Sequence, residues 1–567
     1  MWFRRSLPLT FATLALACGD EPAGSSGSQG TDSGPTSGAD STSDPSATSA
    51  SGGDSTGGQG GTTSAGASTT GDDDDSAPDD GPIFDVQGVA DVSDSGGTVG
   101  EATCEEAAKS LTSAGCSFAP IVGNPSSGEF MGPLPWAVIA ANANFQEATV
   151  TLYDTDEAEI GSAVVQPGEL HVFELSGIEN APMEHPQATA VHRSLRLESD
   201  IPIVAYQFQP YSTSSIAIAD ATMLLPEHAW SDNYLNVNAK NDGTQWITVV
   251  SLADGVEVTI TASDDMIGTT DSGPGIPALG AGQQHVEILD RQDSVKIYST
   301  TGDLTGTRVY SDGGPVALYT GSPGMSLPGP GFQGYRDYLE EQLPPREAWG
   351  TEYAAVKFRP RTNEQDIYRI IADKDGTTVD ITGDYTDNFQ LDEGEFVEFQ
   401  TAGNFLATGN EAFAVAHFMS SCSESTGPYD PTEYPGGFKA TNNCTGSVSA
   451  SDMGDPAVSY VVPIAQYRNR YTFLVPFTYA WDMITVVAPT DEWAGIELDG
   501  APLPPSTPLG VGGLSYARFL LDDGPHLIES EEGTFGLEVY GYDCRISYAY
   551  PGGMSLGSIN TPPPPAG

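Results

Sequence analysis

The sequence predicts an all-β protein: four tandem antiparallel β-sandwich-like repeats of about 115 residues after a long N-terminal segment that has no core of its own. Three observations carry this. From Cys104 onward the chain consists of short runs of β-branched and aromatic residues punctuated by Gly, Pro and Asp. A Pro-x-x-x-aromatic-x-x-x-Tyr pattern recurs as Pro226/Trp230/Tyr234, Pro345/Trp349/Tyr353 and Pro463/Tyr467/Tyr471. An apolar residue three positions before a glycine recurs as Val165/Gly168, Leu279/Gly282, Leu391/Gly394 and Leu509/Gly512. A unit of this size is too long for a solenoid repeat and longer than an ordinary propeller blade. A propeller-like ring of four units is the alternative arrangement. With 567 residues, the chain exceeds what a single hydrophobic core holds.

Taken in order, residues 1–17 read as a lipoprotein-type signal peptide. Arg4 and Arg5 are followed by an apolar stretch over 7–17, too short to span a bilayer as a mature helix. Cys18 follows directly and is the candidate lipidation site; Ala15-x-Ala17 also suits ordinary signal peptidase, which would give a secreted protein. Residues 18–100 are Ser, Gly, Thr, Ala and Asp, with no Lys or Arg between Arg5 and Lys109. Such a segment buries too little apolar surface to offset its ordering entropy, so it is expected to be a disordered acidic tether. The export signal and the tether together point to an outer-membrane or cell-surface lipoprotein.

The repeats are expected at 101–215, 216–330, 331–450 and 451–557, with a Pro-rich tail at 558–567. The segment 343–418 shows the order of parts. After the Pro345/Trp349/Tyr353 pattern come two strands around Asp375-Gly376, read as a hairpin because Asp-Gly supplies the positive φ angles of a tight turn. Asp254-Gly255 is the same feature one repeat earlier. The Gly394 turn follows, and a continuous apolar strand closes the unit. That strand recurs at 202–206, 315–319, 413–417 and 535–539, and its continuity marks a central position in a sheet. The one helical candidate is 105–111.

Asp and Glu number 78 against 21 Lys and Arg, a net charge of −57. This excludes nucleic acid as a partner, since phosphate recognition needs clustered cations, and it excludes electrostatic adsorption to anionic lipid. It suits a self-repelling surface facing the outside medium. Calcium would need oxygen ligands at loop spacing; Asp373-Lys374-Asp375-Gly376 comes nearest and is explained by its turn. Of the six cysteines, Cys104 with Cys116 and Cys422 with Cys444 are the local disulfide candidates, allowed by export. Cys544 stands at the repeat position of Cys422, so Cys444 has two possible partners. No Cys-x-x-Cys zinc spacing occurs and no cofactor is implied.

No catalytic constellation emerges, and the chain is expected not to be an enzyme. None of the seven His belongs to a His-Glu-x-x-His motif. Gly553-Met554-Ser555-Leu556-Gly557 matches the nucleophile-elbow pattern, but no His follows it, and Gly-Met-Ser-Leu also occurs at 324–327. It reads as a motif that closes a repeat. A surface-anchored binding or adhesion protein with a protein or glycan ligand is the expected function. An exported hydrolase of glycans or peptides and an envelope structural protein are the alternatives. Binding residues are expected where the repeats differ, in the loops 262–278 and 423–443.

The run Pro202-Ile203-Val204-Ala205-Tyr206-Gln207 followed by Leu224-Leu225-Pro226, the later Asp375-Gly376-Thr377-Thr378-Val379, and the closing Gly553-Met554-Ser555-Leu556 resemble the IgGFc-binding protein N-terminal domain family. The resemblance covers roughly 100–557. Cys104 through Gly115-Cys116-Ser117-Phe118 after an acidic leader is similar to the bacterial lipoprotein members of that family, of the myxobacterial type. Binding of immunoglobulin Fc is implied by the family's name alone, and no family binding residue maps onto this chain.

Overall fold

Two burial patterns build the strands. Gln245–Ser251 is buried at every position, while Val256–Thr261 alternates buried and exposed side chains. The first kind needs neighbours on both sides and protein on both faces; the second forms the half-exposed layer. The computed structural model describes residues 103–121, 136–175, 192–209, 211, 218–239, 244–266, 276–329, 334–429, 431–434, 437–438, 448–477 and 479–564. The signal peptide, Cys18, the tether, Cys444 and most of the loop 262–278 lie outside the described residues. Among the described residues the one α-helix is Cys104–Ser110, begun by a capping box between Thr103 and Glu106; the rest is antiparallel sheet with short 3-10 turns.

The strands of the described residues form six sheets. In the first module the strand Arg196–Gln209 pairs with Ala148–Tyr153 along its first part and Ala137–Ala141 along its second. In the third, Phe405–Phe418 likewise pairs with Thr377–Gly383 and then Asp366–Ala372. One long strand therefore serves both layers of the sandwich. In the second module the two parts separate at Gly313-Gly314 into Arg308–Asp312 and Val316–Met325, which belong to different sheets.

The Asp-Gly turns do not close hairpins. Gln245–Ser251 pairs with Asp293–Ser299 and Val316–Met325, whereas Val256–Thr261 pairs with Gln284–Leu289 and Arg308–Asp312. The turn between them arches from one layer to the other. Gly255 and Gly376 have the positive φ expected of them, 71° and 73°. What the sequence left open was the pairing: a strand buried along its whole length takes two partners in its own layer, and its chain neighbour must cross to the next.

The glycine turns hold in all four modules, where Gly168, Gly282, Gly394 and Gly512 have φ of 77°, 77°, 76° and 64°. In module 2 the Gly282 turn leads into Gln284–Leu289, and in the turn after that strand Gln292 takes the place that Gly394 has in module 3. Gln292 N donates to Ser251 O at 2.8 Å, as Gly394 N donates to Ala372 O at 3.0 Å. Arg291 N donates to Asp254 Oδ1 as Glu393 N does to Asp375 Oδ1, both at 3.0 Å. Gln292 adopts φ 65° at a cost of about 1–2 kcal/mol. Its buried amide offsets this by donating to Ser194 O (2.9 Å) and Asp154 O (3.0 Å) of module 1.

The repeated Pro/aromatic/Tyr pattern starts each later module. Pro226, Pro345 and Pro463 each cap a 3-10 turn whose end is the Trp or Tyr four residues on. The final tyrosine ties this entry to the last strand of its own module. Tyr234 OH donates to Val316 O at 2.9 Å, Tyr353 OH to Phe413 O, and Tyr471 OH to Phe535 O. Each hydroxyl also accepts a backbone N–H, from Ser231, Gly350 and Arg468.

Just before each of these entries, the chain adds a strand to the module it is leaving. Asp220–Leu224 joins Arg196–Gln209, Asp337–Gln342 joins Val316–Met325, and Val458–Tyr460 joins Phe405–Phe418. In module 4, Ile546–Pro551 fills the same place on Gly536–Asp543. These four closing strands pack on one another in a cycle, so the sandwiches stand around a shared centre. Asp220 is the hub. Its Oδ1 accepts from Ala221 N (2.9 Å) and Ala549 N (3.3 Å), its Oδ2 from Glu340 N (3.2 Å) and Val458 N (3.4 Å). One carboxylate thus holds all four closing strands. Asp337 adds Ala219 N, Tyr338 N and Ser547 N.

The two ends of the described chain close the ring. Leu556 N donates to Leu111 O, Ser113 N to Met554 O, and Thr112 bridges Ser555. Further on, Ile559 N and Asn560 N donate to Glu347 O, and Asn233 Nδ2 donates to Pro563 O. Cys104 and Cys116 are disulfide-bonded, which pins the helix beside Leu111. Cys422, by contrast, is a buried free thiol, and Cys544 is disulfide-bonded. The Cys422–Cys444 pairing is therefore corrected. Cys422 sits inside module 3 with Asp455 Oδ1 accepting its backbone N–H at 3.1 Å, and burial pushes its thiol pKa up. Replacing both Cys104 and Cys116 by serine is expected to lower stability by about 3 kcal/mol, the loss for a loop of this length. Chemical denaturation checks it; an unchanged midpoint would mean that the helix contributes nothing to closure.

Candidate functional site

Where module 2 meets module 3 and the C-terminal tail, the entry turns leave an open cleft of about 440 Å³. One wall is the 3-10 turn Glu227–Ala229 with Trp230, Ser231 and Asp232; a second is the Gly313-Gly314 break; a third is Pro345 and Glu347 of module 3; and Leu556 and Ser558 of the tail form the rim. Trp230 is held in place by its Nε1 donating to Leu225 O at 2.9 Å. The break at Gly313, with φ 95°, exists because module 2 divides its long strand there. The cleft therefore forms where module 2 divides its long strand between two sheets.

Its polar lining is acidic: Asp232 and Asp312 are exposed, and Glu347 is half-buried. Burial raises the Glu347 pKa, opposed by hydrogen bonds from its own backbone and from Ser231. The floor beneath is rigid. Arg346, next to Glu347, is 1% exposed and binds Asp373 Oδ1 (2.7 Å), Asp373 O (2.7 Å), Glu393 Oε1 (3.0 Å) and Asn233 Oδ1 (3.1 Å). Asn560 of the tail completes this set by donating to Asp373 Oδ2 at 2.8 Å. Such a cleft suits a cationic or polar group of a ligand against an aromatic wall.

A second polar cluster lies inside, between modules 3 and 4. Lys357 Nζ is 2.8 Å from Asp366 and 3.3 Å from Glu364; His417 bridges Asp366 (2.8 Å) and Glu538 (3.1 Å). The imidazole is stacked between Phe358 and Tyr368 at 3.9 and 4.5 Å. Burial disfavours its charge, but Glu538 and Asp366 win and hold its pKa up at about 9. Every member except Glu538 is nearly inaccessible, so the cluster binds modules together; only a recess of about 40 Å³ reaches His417 and Glu538.

The candidates from sequence fall as follows. Ser555 of the Gly-x-Ser-x-Gly motif donates its backbone N–H to Gln466 O and forms part of the ring closure. Trp230, Trp349 and Tyr467 are buried, 8%, 3% and 7% exposed, as their place in the repeat implied. Among the described residues no group of three or more His, Cys, Asp or Glu is arranged to hold a metal ion. Sequence reasoning missed the cleft, because Asp232, Asp312 and Glu347 come from two modules and stand among 78 acidic residues. The one available signal was the Gly313-Gly314 pair inside what modules 1 and 3 make a continuous strand.

A family model described as IgGFc binding protein matches residues 220–541, more than half of the chain. The chain belongs to that family. The match opens at Asp220, the hub of the ring, and runs through module 4. The family is one of extracellular binding proteins. No curated protein matches the chain. Among solved structures, the native conformation of E. coli alpha-2-macroglobulin is similar at 8% identity, covering 77% of this chain and 39% of that one, with a TM-score of 0.11. No helix among the described residues is long and apolar enough to cross a membrane.

Proposed function

We propose that this member of the IgGFc binding protein family is a lipid-anchored surface protein that captures a protein ligand on its ring of modules and acts by binding, not by catalysis. Family membership over 220–541 is the observation that carries the reading. The cleft between modules 2 and 3 supports it by offering a rigid, polar and aromatic recess at the surface. Lipid on Cys18 would anchor the chain, and the segment to about residue 100 would act as tether. A coil of roughly 80 residues has an end-to-end distance of about 50 Å, enough to hold the ring clear of a bilayer.

Two measurements test this. Cys18→Ser is expected to move the protein from the membrane fraction to the soluble one, and labelled lipid is expected on the wild type only; a wild type that never takes the label refutes the anchor. Immobilised full-length protein is expected to retain a protein ligand, with immunoglobulin Fc as the first probe and a glycan array as the competing one. Retention of glycans alone would replace the protein-ligand reading.

A further inference from the structure

The outer layer of each sandwich ends in an edge strand, and the edge of module 2 has its polarity reversed. In module 3 the edge Asp387–Leu391 sets Phe389 and Leu391 opposite Val379 and Thr377, both buried, and turns Asn388 and Gln390 outward. In module 1 the edge Glu159–Val165 also sets Ala163 and Val165 opposite buried Val150 and Ala148, and turns a single β-branched residue, Val164, outward. In module 2 the edge is Gln284–Leu289. Here His285 and Glu287 stand opposite buried Ile260 and Val258, and their side chains pair with each other at 3.0 Å. Val286 and Ile288 stand opposite Thr259 and Glu257 and face solvent, 50% and 60% exposed. Because side chains alternate along a strand, this one wears its β-branched residues on the outside. Among the described residues Val256–Thr261 is its one strand neighbour, and none of them forms a strand along its other backbone edge.

An open edge with outward β-branched side chains is a template for another strand. The charges around it select the occupant. Glu287 lies on one face of the strand; Glu257 lies on the other, beside Ile288, and Asp312 follows Glu257 across the sheet in the same row. A second copy of this chain, itself at −57, is repelled from such a face. We propose that the edge Gln284–Leu289 is a docking site for an extended segment of a protein partner in which β-branched residues alternate with Lys or Arg. Added to the edge, its apolar side chains extend the Val286/Ile288 row on one face, and its cations lie on the opposite face beside Glu287. This rests on the protein-capture reading and specifies where capture occurs.

The test uses the full chain and a short synthetic peptide alternating valine and lysine, with a valine–glutamate peptide as control. The basic peptide is expected to bind and to slow amide hydrogen exchange over Gln284–Leu289. The double variant Val286→Ser/Ile288→Ser, which changes only exposed side chains and no charge, is expected to weaken binding roughly tenfold, with Glu287→Gln weakening it in part. Equal binding by the double variant, or unchanged exchange at this strand, overturns the proposal, as does dimerisation of the chain through this edge. Retention of immunoglobulin Fc or another protein by the double variant at wild-type strength leaves protein capture standing and removes this edge as its site.

Discussion

Asp220→Ala is expected to disrupt the ring as a whole. The substitution strips four backbone N–H groups from four closing strands of their shared acceptor, at a centre with no solvent exposure. An orphaned buried donor costs about 1–3 kcal/mol, against about 1 kcal/mol for the net value of an ordinary hydrogen bond. Even if two of the four find other partners, the loss is about 4 kcal/mol, a large share of the stability of a typical domain. Asp220→Asn keeps one acceptor oxygen but turns a donor toward two of the N–H groups, so it should fall between alanine and wild type. Urea denaturation of the three proteins checks this order. A loss under about 1 kcal/mol for Asp220→Ala would mean that the closing strands hold by packing alone.

Lys357→Met is expected to be nearly as damaging, for the opposite reason. It leaves the carboxylates of Glu364 and Asp366, both 1% exposed, without their ammonium partner. Breaking a buried pair on one side costs about 3–5 kcal/mol, although building the pair need not have contributed much. The same cluster sets a pH dependence. The folded-state pKa of His417, about 9, lies above its ordinary 6.5, so its contribution is complete below about pH 6.5 and is lost as pH rises toward 9. Glu340 and Asp455, each pushed up to about 7 by burial, act in the same direction: their contribution is complete below their ordinary values, 4.5 and 3.8, and disappears as pH approaches 7. Asp366, held below 3.8 because Lys357 and His417 outweigh its burial, contributes above that value and loses its contribution as pH falls further. The protein should therefore be most stable in mildly acidic solution and weaken from neutral to alkaline pH. His417→Gln should flatten the alkaline part of that fall. A midpoint that rises steadily from pH 5 to 9 would contradict this.

The sequence by itself determined the class of fold and the number of modules, because those depend on local chemistry. Pro226, Pro345 and Pro463 cap the same turn, Tyr234, Tyr353 and Tyr471 make the same latch, and Gly168, Gly394 and Gly512 need the same φ, so each recurs wherever its geometry recurs. The tertiary structure alone decided how strands pair and which residues meet. The Asp-Gly segments look alike as hairpins or arches, since the turn requires the same dihedrals in both, and only burial on both faces separates them. The role of Gly394 passed to Gln292 in module 2 because a side chain that bonds two carbonyls of the neighbouring module offsets a strained φ. Asp220, Glu340, Val458 and Ala549 lie in four separate segments and share no motif, yet they meet at one carboxylate. The acidic cleft and the reversed edge at Val286 and Ile288 were hidden for the same reason. Alternation is readable in a strand, but which face turns inward is set by the layer packed against it.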